Sequence, residues 1–92
     1  METALEEHLA SVQSQPGVTG VQCIDVDGLC LASRGCTNEL TCGLLTSVYK
    51  HIQDIEEEDE KESPVVVIEQ SSGSIVLCEA DGILTAIHKA AT

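Results

Sequence analysis

The sequence has no tryptophan and no phenylalanine, and Tyr49 is its single aromatic residue. The core must therefore be aliphatic, built from the Val, Ile, Leu and Ala that dominate an apolar content of 42%. That content suits a folded chain rather than a disordered one. Cations are nearly as scarce: Arg34, Lys50, Lys61 and Lys89 stand against sixteen acidic residues, giving a formal net charge of −12. Such a surface repels phosphate backbones and anionic lipid, so nucleic acid and a membrane surface are poor partners. Basic protein surfaces are attracted.

Long apolar runs are also missing. VVVI at residues 65–68 is as long as any, far short of the roughly 20 residues a membrane-crossing helix needs. METALEEHLA lacks the basic-then-apolar order of a signal peptide, Glu2 after Met1 excludes N-myristoylation, and KAAT is not a prenylation box. The expectation is a cytoplasmic chain with no direct membrane insertion. Cys23, Cys30, Cys36, Cys42 and Cys78 include no C-x-x-C pair, so neither a zinc knuckle nor a thioredoxin motif is present. Reduced, intracellular thiols are expected.

Catalytic motifs are absent too: there is no phosphate-cradling glycine loop and no HExxH. His8 and His51 fall on expected helices and His88 closes the last expected strand, none in a motif that sets it beside a cysteine. No enzyme activity, cofactor or resident metal is therefore expected. One chemical alternative stays open, a thiol metal site from Cys23 and Cys30 on one sheet face, joined by Cys78 if the last strand neighbours the first. Cysteine as a small filler of an aliphatic core is the preferred reading.

Ninety-two residues make one domain, residues 1–92, with a modest core. Thr3-Ala4-Leu5-Glu6 has the capping-box pattern with Thr3 as N-cap, and Ala4, Leu5, Leu9 and Val12 then share a helical face bordered by His8. Pro16-Gly17 should stop that helix. Residues 18–25 and 29–34 read as a hairpin turned by Asp27-Gly28. That register sets Val26 opposite Leu29 and Ile24 opposite Leu31 on one buried face, with Asp25 opposite Cys30 and Cys23 opposite Ala32 on the other. A second helix is expected over residues 38–55, capped by Thr37 or Asn38.

Along that helix Leu40, Cys42, Leu44, Leu45, Val48, Tyr49, Ile52 and Ile55 spread over about 200°, where a helix lying on one sheet needs nearer 100°. The excess predicts burial against something besides its own sheet. Residues 56–62, EEEDEKE, read as a solvated acidic loop over 56–63. Residues 65–69, 74–79 and 83–88 complete the pattern as antiparallel strands, with turns at Ser71-Ser72-Gly73 and Asp81-Gly82. VVVI does not alternate, which predicts burial on both faces; at a sheet edge something would have to pair with it. The order α-β-β-α-β-β-β is that of an α/β (α+β) domain with a five-stranded antiparallel sheet.

TALEEHL, GVTGVQCIDVDGLCLASRG and SPVVVIEQSSGSIVLCEADGILTAIHK, in this order and spacing, resemble the hepatitis B virus X-interacting protein family of Ragulator complex subunits. The resemblance implies a roadblock/longin-like fold that pairs through its second helix and third strand. Leu44, Leu45, Val48, Tyr49, Ile52, Val65, Val66, Val67 and Ile68 are the candidate interface residues, coinciding with the unexplained apolar surface. It further implies a heterodimer with another roadblock-domain subunit, inside a complex that a lipidated subunit anchors to late endosomes and lysosomes. That complex docks Rag GTPases and relays amino-acid sufficiency to the mTOR kinase complex; the family name also implies viral X protein as a partner. A homodimeric roadblock regulator of a small GTPase, or a motor light chain, is the alternative.

Overall fold

Pro16 and Gly17 stop the first helix. In the computed structural model, which describes residues 2–35, 37–55 and 64–91, α1 spans Glu2–Gln13 and Gly17 follows at φ +84°. Because α1 already includes Glu2, Thr3 lies within the helix and not at the position before it. Next come β1 (Val18–Ile24) and β2 (Cys30–Gly35), then a 3-10 turn (Glu39–Thr41) leading into α2 (Cys42–Ile55). The second helical segment thus starts as a 3-10 turn and becomes α-helical only at Cys42. Asn38 caps it, its side-chain oxygen accepting from Leu40 N at 2.9 Å. The chain ends in β3 (Val66–Gln70), β4 (Gly73–Ala80) and β5 (Ile83–Ala90). The acidic loop of residues 56–63 and the Cys36 thiol lie outside the described residues.

The five strands form one antiparallel sheet in the order β2-β1-β5-β4-β3. Asp81 at φ 53° and Gly82 at φ 78° make the two-residue β4–β5 turn, whose twist matches that of the strands it joins. The first hairpin departs from the expected register. Cys23 does face Ala32, but a bulge follows and Ile24 faces Cys30. Asp25 is the physical reason. Its Oδ1 accepts from Asp27 N at 2.9 Å and Leu29 N at 3.0 Å, closing a longer loop instead of a tight Asp27-Gly28 turn. Val26, Leu29 and Leu31 are consequently 56%, 65% and 48% exposed, and of the expected buried face only Ile24 is buried.

Each sheet face carries its own core. On one, α2 covers Ile24, Leu77, Leu84 and Ala86 with Cys42, Leu45 and Tyr49. On the other, α1 sets Leu9 against Val21 and Cys23, with Leu5, Val12, Ile83 and Ile87 at the margin. Fully burying a side chain such as Leu9 or Leu77 contributes about 1.5–3 kcal/mol, so these few positions carry the fold.

Candidate functional site

α2 is apolar on more of its circumference than its sheet can use. Cys42, Leu45 and Tyr49 point into the core, and the Tyr49 hydroxyl donates to Pro64 O at 2.7 Å. Leu45 and Tyr49, two of the candidate interface residues, are therefore committed to the chain's own interior. Leu40, Leu44, Val48 and Ile55 lie on the opposite side and are exposed, Leu44 by 68%, with Ile52 half-buried between them. Four-residue spacing lines up Leu44, Val48 and Ile52 as one stripe along α2, and Leu40 is exposed on the 3-10 turn that leads into it.

Among the described residues β3 lies at the edge of the sheet and pairs only with β4. Val66 and Ile68 lean against the α2 core, whereas Val65 and Val67 are 65% and 54% exposed. Burial on both faces, expected from VVVI, is not seen. Among the described residues nothing covers the second face, because α1 packs on β1 and β2 at the far side of the sheet. Val65 precedes β3 instead of opening it. The candidate residues left accessible are thus Leu44, Val48, Val65 and Val67, with Ile52, Val66 and Ile68 half-buried. Leu40 and Ile55 belong with them; helical spacing had placed both in the wide apolar arc.

Where the N-terminal half of α2 stands away from β4, it leaves a groove of about 440 Å³ lined by Thr37, Asn38, Thr41, Leu44, Ile75 and His88, among others. At its floor lies a polar chain that the sequence did not signal. Gln22, fully buried on β1, donates from Nε2 to Asn38 O at 3.2 Å and to Cys42 Sγ at 3.3 Å. His88 Nε2 meets Gln22 Oε1 at 2.7 Å. Burial holds the His88 pKa below its ordinary 6.5.

The thiols do not gather. Cys23 packs on the α1 side and Cys30 on the α2 side, because the bulge after Cys23 and the pairing of Ile24 with Cys30 put them on opposite faces. The shared face expected for them is corrected accordingly. Cys78 pairs with Thr85, which also pairs with Cys23, so only those two share a side. Among the described residues no three His, Cys, Asp or Glu side chains approach closely enough to hold a metal. Burial, and then the neighbouring Cys30, push the Cys42 thiol up to about 11, and burial raises Cys23 as well. Both stay protonated near neutral pH, unsuited to nucleophilic or ligand roles.

Solved structures share this architecture. The roadblock/LC7 domain from Streptomyces avermitilis superposes with a TM-score of 0.76 at 19% identity, covering 89% of this chain and 74% of that one. MglB in a tetrameric arrangement gives 0.81 at 17%, covering 97% and 71%. At such identities the likeness establishes a roadblock-type fold. Sequence relatives go further: a Ragulator complex protein LAMTOR5 homolog of Nematostella vectensis and Ragulator complex protein LAMTOR5 of Xenopus tropicalis are each 30% identical over 89 residues, 97% of both chains. The family described as Ragulator complex protein LAMTOR5 matches residues 1–89. With fold, length and sequence in agreement, the chain belongs to the Ragulator complex protein LAMTOR5 family.

Proposed function

We propose that this chain is a non-enzymatic scaffold subunit that pairs with a second roadblock-domain subunit through α2 and the β3 edge. The observation that carries the reading is the exposed apolar set of Leu40, Leu44, Val48 and Ile55 together with the edge strand bearing Val67, whose outer edge pairs with no described residue. An apolar helix face and a free strand edge are each liabilities in a solitary chain. A partner presenting the same two elements would cover the stripe and continue the sheet. Membership of a Ragulator family supports the wider role: a place in a complex anchored to late endosomes and lysosomes by a lipidated subunit. There it would help dock Rag GTPases for amino-acid signalling to the mTOR kinase complex. The chain would then be cytoplasmic and borrow its membrane attachment; viral X protein stays a partner by family resemblance alone.

A homodimer is the competing arrangement, and charge favours the heterodimer. A second copy would double a net charge of −12, whereas a basic subunit would offset it. Val48→Asp is the test, read as affinity for the roadblock subunit that co-purifies from cells. A charge buried at the centre of the contact should weaken pairing about 100-fold with the fold intact. Unchanged affinity would remove this surface from consideration.

A further inference from the structure

We infer that the groove beside the N-terminal half of α2 is a subsite of that pairing surface, receiving one partner side chain with an apolar stem and a hydrogen-bond-donating tip, accepted by His88 Nδ1. This rests on the pairing reading above and adds the chemistry of the contact.

Proton bookkeeping in the floor of the groove leads to it. Gln22 is fully buried, and its Nε2 donates to the Asn38 carbonyl and to the Cys42 sulfur. A carbonyl only accepts, so the carboxamide is oriented and Oε1 faces His88. At 2.7 Å from that oxygen, His88 Nε2 must be the protonated nitrogen. In a neutral ring Nδ1 is then a bare acceptor. Among the described residues it has no hydrogen-bond partner, and no buried side-chain nitrogen or oxygen there lacks one. Nδ1 therefore reaches solvent, on a residue that lines the groove.

The other walls leave it little competition. Leu44, Leu45 and Ile75 are apolar, Asn38 Oδ1 already accepts from Leu40 N, and the Thr41 hydroxyl donates to Asn38 O at 2.7 Å. Leu44 belongs both to the groove and to the exposed stripe, so the two surfaces are continuous. A carboxylate tip would set acceptor against acceptor in a chain of net charge −12. A second copy of this chain would bring a further net charge of −12 to the same surface, which disfavours it as the occupant. The occupant is a hydroxyl- or amine-tipped side chain of a different subunit.

Protonation would convert Nδ1 from acceptor to donor, so binding should weaken as pH falls from about 6.5. Around His88 the residues opposite are Gly20 and Gln22 on β1 and Ile75 on β4, with Thr41, Leu44 and Leu45 above, all uncharged. Glu39 is the ionisable residue of the 3-10 turn and is exposed; Lys89 follows His88 and so points to the other sheet face.

The double variant Gln22→Leu with His88→Phe fills the same space without polar atoms. Calorimetry with the co-purifying roadblock subunit should show affinity about five- to tenfold lower than wild type, and the decline at acid pH should be lost. The proposal is overturned if affinity and pH profile match wild type while Val48→Asp abolishes pairing. If Val48→Asp leaves pairing intact, the pairing reading itself fails. Should the double variant not fold, nitrogen NMR of the wild-type imidazole decides. p-Cresol should move the His88 Nδ1 resonance and 4-methylanisole, which lacks a donor, should not; equal responses overturn the proposal. A homodimer of the full chain that the double variant dissociates would overturn it too, since the occupant would be a second copy.

Discussion

Gln22 holds together three elements with one side chain: β1 carries it, His88 on β5 donates to it, and it donates to Asn38 and to Cys42 of α2. Gln22→Ala would leave a cavity and strand the His88 Nε2–H, and should cost about 2–4 kcal/mol in urea denaturation. His88 also predicts a pH dependence with a definite sign. Its folded pKa lies below the ordinary 6.5, so between those values the unfolded chain binds more protons. Stability contributed by this group is level above about 6.5 and falls as pH drops from there toward the folded value. Urea midpoints from pH 7.5 to 5, compared with the Gln22→Leu, His88→Phe chain, isolate the effect. None of this was legible beforehand. A lone glutamine in an apolar strand has no sequence signature, because its partners lie 16, 20 and 66 residues away. Cys30 was misplaced for a similar reason: one bonded aspartate, Asp25, lengthened a loop and set Cys30 opposite Ile24, while the pairing from Ala32 onward kept the expected register.

At the scale of elements, α2 separates core-facing from outward-facing apolar residues within a single turn. Leu45 is 6% exposed and packs in the core, whereas Val48 is on the outer stripe. Leu45→Asp should therefore unfold the domain, burying an unpaired charge at a cost of several kcal/mol, while Val48→Asp should leave the thermal midpoint within a few degrees. Circular dichroism melts of the two variants make the comparison. From the sequence both looked equally suited to an interface, since a 200° arc shows that two surfaces must be met without dividing the residues between them. Strand alternation would have resolved VVVI in the same way: Val66 and Ile68 face α2, Val65 and Val67 face outward. Uniform hydrophobicity hid that alternation. Helix α1, the two later turns and the order of all elements were readable because Pro16-Gly17 and Asp81-Gly82 act locally.

Over the whole molecule, sixteen acidic residues against four basic ones set a field that no single contact describes. If the partner is basic, its association rate should fall roughly tenfold from low to high ionic strength while dissociation changes little, as stopped-flow mixing would show. The topology has a consequence of a different kind. β5 lies at the centre of the sheet, between β1 and β4, and joins the first hairpin to the later strands. Until residues 83–90 leave the ribosome, β1–β2 and β3–β4 are two separate hairpins with no shared sheet, each too small to be stable alone. The domain should thus fold only after residues 83–90 have emerged, and a nascent chain stalled before Ile83 should remain sensitive to protease throughout its described strands.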